Sequence, residues 1–325
     1  MPRVRFDVTI PIFAGAVPQR DYLDYPTVLQ LAKEAEEAGY DSLWVADHLT
    51  MGEENRIWEG WTVVSSLANV TGMRVGTAML SALHRNPALT AKMGATLDMI
   101  SNGRLNFGLG TGWHKTELGH YGLPWYDDPR ERVEVLEETV QIVKKMWTER
   151  DPSFEGRHFT IAHAFCEPKP VQKPHPPIWI GGGGERYLLK LVARHADGWD
   201  IPACTPEVYA HKVEVIRRHC KDVGSDFEHI DRSIDTNIIV SDDLAAVKRI
   251  EEWYDWLRDV QSEVASLKPA VNVKELFIVG NASECTKRIE DYVESGVRRF
   301  KFYFFDYPKM NSLRKIGNEI IPSFS

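Results

Sequence analysis

Asp47 and His48 stand side by side directly after a short apolar run, Ser42–Ala46. A carboxylate beside an imidazole suits proton transfer near neutral pH, because histidine titrates there and a nearby charge tunes it. The same pair also serves as a helix cap or a structural hydrogen bond, so its place in the fold decides between the readings. Further along, Gly108-Leu109-Gly110-Thr111-Gly112 runs into Trp113 and His114. Glycines packed this densely imply a backbone that comes close to a ligand, or a sharp turn. Two aromatic rings at such a lip can cover a planar molecule. Gly181, Gly182, Gly183 and Gly184 follow another apolar run and open a helical pattern. Unpaired N–H groups at the positive end of a helix suit a phosphate; a loose loop is the alternative. No Gly-Lys-Ser/Thr follows, so the run is not a Walker sequence, nor is it a dinucleotide turn. Arg85, ahead of Asn86-Pro87, either holds an anionic group or structures the start of the next helix.

These residues share a purpose only if the chain gathers them. Eight short apolar runs recur: Phe6–Ile12, Ser42–Ala46, Arg74–Leu80, Leu105–Leu109, Ile178–Ile180, Gly198–Ile201, Ile234–Val240 and Arg299–Phe305. Helical periodicity fills the gaps. Val28, Leu31, Ala32, Ala35 and Ala38 line one face before Gly39, and Val133, Leu136, Val140, Val143 and Met146 line another. A run from Ala88 to Ile100 stops at Asn102-Gly103. Strands alternating with helices demand parallel pairing with crossover helices. A doubly wound sheet is the competitor, but the first strand leads into Pro11-Ile12-Phe13-Ala14-Gly15, which is no dinucleotide fingerprint. Eight repeats favour a closed (β/α)8 TIM barrel, one α/β domain over residues 1–325. In such a barrel the residues that follow the strands meet at the C-terminal mouth. Two stretches, at about 151–177 and 242–282, are too long for plain connections. The first reads as a hairpin over Ser153–Ile161. The second reads as a polar helix from Leu244 to about Leu267 and an apolar run, Leu276–Val279. Insertions usually cap the catalytic mouth.

Composition narrows the function. A formal charge of -8 argues against a nucleic-acid or anionic-membrane surface. Cys166, Cys204, Cys220 and Cys285 form no C-x-x-C pair and read as reduced thiols. Neither a signal peptide nor an apolar span stands out, so a cytoplasmic, soluble protein is expected. A metal-dependent hydrolase barrel would want His-x-His on its first strand; that strand has Asp7 and no histidine. His211, His219 and His229 lie on or near a polar helix, and no metal is expected.

Several segments carry a family resemblance, in order: Gly39–His48, Arg85-Asn86-Pro87, Leu97–Leu105, Gly108–His114, Phe154–Phe159, Pro168–Gln172, Pro176–Gly184 and Ala196–Trp199. Together they resemble the luciferase-like family, and within it the coenzyme F420-dependent oxidoreductases. The resemblance is dense from about residue 5 to 220 and thinner beyond. It implies hydride transfer between coenzyme F420 and an unidentified small organic substrate. It also implies a non-proline cis peptide at about Ala78–Met79 against the cofactor ring. Asp47 and His48 would face ring and substrate, with His48 as proton donor or acceptor oriented by Asp47. Gly110, Thr111 and Gly112 would line the cofactor, Gly181–Gly184 would hold its phosphate, and Trp113 and His114 would shape the substrate side. An FMN-dependent monooxygenase using oxygen is the alternative on the same barrel. A flavin-binding protein without turnover is the alternative of another class. Relatives are commonly homodimers through the helices after the second and third strands, and a flavin or F420 reductase is a conceivable partner. Two departures matter. Members that oxidise sugar phosphates or secondary alcohols tend to place a glutamate where Trp113 stands, and a tryptophan where Gly52 stands. A substrate with an apolar or planar surface against Trp113 is therefore expected.

Overall fold

The computed structural model describes residues 3–13, 24–51, 55–243, 245, 248, 250, 252 and 273–324. Eight parallel strands form its centre: β1 (Arg5–Ile10), β2 (Ser42–Val45), β3 (Arg74–Thr77), β4 (Leu105–Gly110), β5 (Ile178–Gly181), β6 (Gly198–Pro202), β7 (Asp231–Val240) and β8 (Arg299–Phe304). They pair in chain order, and β8 returns to β1 with Asp7 opposite Lys301. The ring is a closed (β/α)8 barrel. β7 begins three residues earlier than the apolar run suggests, because Asp231, Arg232 and Ser233 pair with Gly198, Trp199 and Asp200 of β6.

Around the ring lie α1 (Tyr25–Glu37), α2 (Gly60–Leu67), α3 (Pro87–Ile100), α4 (Lys115–His120), α5 (Pro129–Thr148), α6 (Leu188–His195), α7 (Pro206–Val223) and α8 (Ala282–Glu294). Their starts are written in the sequence. Asp24, Asn86, Asp128 and Thr205 each accept from a backbone N–H of the first turn, with proline close behind. Asn281 and Glu284 form a reciprocal capping box on α8. α1 buries Val28, Leu31, Ala32 and Ala35 against the sheet, and ends where Gly39 takes φ +84°.

The barrel interior departs from a branched aliphatic filling. Trp44 and Trp179 meet edge to face, 5.3 Å between centroids, and the Lys301 ammonium lies 3.4 Å from the Trp44 ring centre. Below them Arg299 donates to both oxygens of Asp7 at 2.8 Å, and the Trp44 indole N–H donates to Asp7 at 2.8 Å. A Cβ on Gly76 would lie 2.5 Å from the Trp44 ring and one on Gly198 2.4 Å from Trp179, so the indoles occupy space that glycine leaves.

The first insertion is a hairpin, Phe154–Glu155 antiparallel to Thr160–Ile161. It does not cap the mouth. Glu138 in the middle of α5 accepts from the N–H groups of Arg157, His158 and Phe159, which lays the turn along that helix. No residue of 151–177 lines the mouth cavity. Instead Gln172 donates to the Leu105 carbonyl, at the N-terminal end of β4. Most of the helix expected from Leu244 to about Leu267, and Gly52, lie outside the described residues. Within Leu276–Val279 the chain enters a short strand, Ile278–Gly280, that pairs with the end of β7. Among the described residues no helix is long and apolar enough to cross a membrane.

Candidate active site

A cavity of about 400 Å³ opens at the C-terminal ends of the strands. Asp47, His48, Ala78, Met79, Gly110, Thr111, Gly112, Trp113, His114 and Gly181–Gly184 all line it. The residues singled out from sequence therefore share one site. A second cavity, about 860 Å³, lies at the opposite face, but its arginines are engaged: Arg74 with Asn106 and Gln172, Arg299 with Asp7.

A line of alternating charges runs along the first wall. Arg85 grips Asp47 through two nitrogens, at 2.7 and 2.8 Å, and the Ser81 N–H donates to the same carboxylate at 3.0 Å. His84 comes next, with Nδ1 3.2 Å from Asp47 and Nε2 3.4 Å from Glu117. Both of its nitrogens face carboxylates, so both act as donors and the ring is an imidazolium. Burial alone would lower its pKa, but bonds to Asp47 and Glu117 outweigh it and raise the ring to about 9. Asp47 shows the complement: burial opposes its charge, yet bonds from His84 and Arg85 hold its pKa down to about 2.

Glu117 closes the line. It is almost fully buried and accepts from the Leu49 N–H at 2.5 Å and the Thr50 N–H at 2.9 Å. His48 Nδ1 lies 3.2 Å from its Oε2. Burial pushes this carboxyl up, but bonds from His114, His48 and His84 carry it far below the carboxylate range. Sequence reasoning assigned the orientation of His48 to Asp47. The structure gives it to Glu117, because Asp47 is taken up by Arg85, His84 and Ser81. With Nδ1 directed at an anion, Nε2 is the nitrogen left to the cavity. Glu117 sits on α4, and no local pattern in the sequence marks it out.

His48, His114 and Glu117 each bring a ligand atom within 4.8 Å of the others, a spacing open to a metal ion. The Glu117 oxygens, however, already accept two backbone N–H groups and imidazole protons, which favours a hydrogen-bonded pair over a ligand set. Trp113 stands at the rim, 44% exposed, with its ring edge-on to His48 at 5.2 Å. His114 is tilted against it at 5.1 Å.

Some of the glycines also make room for a neighbouring side chain. The Ala78–Met79 peptide is cis, as the resemblance implied. A Cβ on Gly108 would lie 2.5 Å from the Met79 sulfur, and one on Gly181 2.5 Å from Met79 Cγ. Their missing side chains thus make a slot for Met79, which forms a shelf at the cavity wall. Gly182 adopts φ +125° and directs its N–H to the Asp200 carbonyl at 2.8 Å. The helix starts at Leu188, after an intervening turn, not directly behind Gly184. Beside this loop Lys212 pairs with Glu185 at 2.6 Å, within reach of Gly183. The far wall also carries Asp200 and Asp235.

The barrel itself recurs among known proteins. An F420-dependent glucose-6-phosphate dehydrogenase of Amycolatopsis mediterranei is 25% identical over 93% of this chain and 94% of its own length. The solved structure of an F420-dependent secondary alcohol dehydrogenase superposes with a TM-score of 0.85 over 99% of both chains, at 20% identity. A long-chain alkane monooxygenase superposes at 0.83 over 99% of this chain and 91% of its own, at 15% identity. The sequence profile of the luciferase-like monooxygenases matches residues 4–299, nearly the whole barrel, and the chain belongs to that family.

Proposed function

We propose that this protein is an oxidoreductase that exchanges a hydride between coenzyme F420 and a small organic molecule at the barrel mouth. The observation that carries the reading is His48: an imidazole beside the cavity, aligned by an anionic carboxylate behind it. The cavity suits a planar heterocycle in volume and shape, with Met79 as a flat apolar shelf and Trp113 at the rim. When bound, the deazaflavin supplies a ring carbon that accepts or delivers hydride. His48 handles the accompanying proton at Nε2, while Glu117 holds the ring through Nδ1. Asp47, locked by Arg85, holds the β2 and β3 loops together and supports the wall. Gly183, Gly184 and Lys212 form the phosphate end. Trp113 and His114 form the substrate side, favouring a molecule with an apolar or planar face over a sugar phosphate.

The names of two relatives, both F420-dependent, support the cofactor, while the alkane monooxygenase likeness keeps FMN as the alternative. Exposed Leu89, Met99 and Ile100 on α3 fit a homodimer contact. Fluorescence titration with coenzyme F420 and, separately, FMN tests the reading. Tight binding of F420 and weak binding of FMN is expected; the reverse would mean an oxygen-using enzyme supplied by a reductase. His48→Ala is expected to retain cofactor affinity and lose about 10²–10⁴-fold in turnover. Unchanged turnover would remove His48 from this role.

A further inference from the structure

We propose that Asp235 stands at the floor of the mouth cavity as a neutral carboxylic acid, a hydrogen-bond donor for a ligand carbonyl or imide oxygen. Asp235 and Asp200 both line the cavity, on adjacent strands β7 and β6, across the barrel from His48. Among the described residues the ammonium on this wall is Lys301 of β8, which stands opposite Asp235 in the strand register. Its Nζ is 3.0 Å from Asp200 Oδ1, and Ser233 Oγ donates to that same oxygen. Lys301 is fully buried and its remaining surroundings are the Trp44 and Trp179 rings. One cation thus serves two carboxylates, and it lies within ion-pair distance of Asp200 alone.

Asp235 has no such partner. Among the described residues no cationic nitrogen lies within 4 Å of it, and its one side-chain bond is from Thr9 Oγ1 of β1, at 3.5 Å. Tyr303 of β8 is the other titratable group close by. The charged groups across the cavity, His84 and Glu117, neutralise each other and do not reach this wall. A carboxylate in that setting would be an unpaired charge next to a like charge, so it keeps its proton instead. Burial first, and then the Asp200 charge, push the Asp235 carboxyl well above the ordinary range. A neutral acid has one O–H to give. The ligand it selects presents a carbonyl or imide oxygen; an ammonium would draw the proton away. This deepens the deazaflavin reading by assigning the far wall to the acceptor edge of the bound heterocycle.

Infrared spectroscopy of the purified apoprotein at pH 7 tests it without turnover. The wild type should show the C=O stretch of a protonated carboxyl, and Asp235→Asn, which keeps the shape, should lose it. Asp200→Asn should lose it as well, because Lys301 then has only Asp235 to neutralise. A wild type without the band, or a band that survives in either variant, overturns the assignment. Adding coenzyme F420 or FMN should shift the band; a band unmoved by a cofactor that demonstrably binds overturns the donor role. Failure of both cofactors to bind in the fluorescence titration would strike at the deazaflavin reading, leaving the protonated acid to be judged by the first measurement.

Discussion

Glu117 has two backbone N–H donors and three histidines around one carboxylate, which makes its charge the pivot of the near wall. Glu117→Gln keeps the outline and removes the anion. The amide can still accept from Leu49 and Thr50, but the anion that aligns His48 is gone. Turnover should fall by about 10²-fold with cofactor affinity close to wild type, a split that steady-state kinetics beside a binding titration resolves. The same wall gives the protein a pH signature. His84 is raised from 6.5 to about 9 in the fold, so its contribution is complete below 6.5 and is lost as pH rises through 9. The difference amounts to about 3 kcal/mol. Asp47 acts in the acid range: lowered from 3.8 to about 2, it stabilises above 3.8 and ceases to do so as pH falls through 2. Urea unfolding of wild type and His84→Gln should therefore converge between pH 7 and 9.5. Curves that stay parallel would deny His84 its charge.

At the scale of elements, the strands and helices could be read from the chain because each strand is an apolar run and each helix has its own cap. The packing between elements could not. That Glu117 on α4 folds back under the loop after β2 is a contact between residues 69 apart, and nothing local in Lys115–His120 announces it. The glycines are a similar case: spacing reveals that a side chain is absent, not what fills the room. Here Met79 fills it, which separates two substitutions. A Cβ on Gly108 would sit 1.9 Å from the Thr77 carbonyl oxygen, fixed backbone, so Gly108→Ala should destabilise by about 3 kcal/mol or more. Gly181→Ala meets only the flexible Met79 side chain. It should unfold near the wild-type midpoint yet bind cofactor about tenfold more weakly, and adding Met79→Ala should relieve the clash without restoring the shelf. Thermal melts and titrations of the three variants check both expectations.

The whole molecule encloses charge where a barrel of this kind usually encloses aliphatic side chains. Asp200 and Asp235 were hidden from sequence reasoning because a polar residue on alternate strand positions looks like a solvent face, and only ring closure turns that face inward. Arg299 shows what the closed ring demands. It pairs with Asp7, Asp231 and Ser42 from three different strands. Arg299→Met should cost about 3–5 kcal/mol, read from urea unfolding, because it strands the Asp7 carboxylate in the interior. A loss below about 1 kcal/mol would show that Asp7 takes up a proton with little penalty.

The strand Ile278–Gly280 continues the sheet beyond the ring, and Ser241 donates its N–H to the Gly280 carbonyl at 2.8 Å. The chain leaves β7 and comes back beside it, and Ile250 and Phe277 of this stretch pack with Ile239 and Phe305 of the barrel. Loop closure grows only slowly more costly with length. A segment of another length between residues 253 and 272 should thus leave the register of all eight strands as it is, so long as the anchors at Ile250, Phe277 and Ile278 are kept.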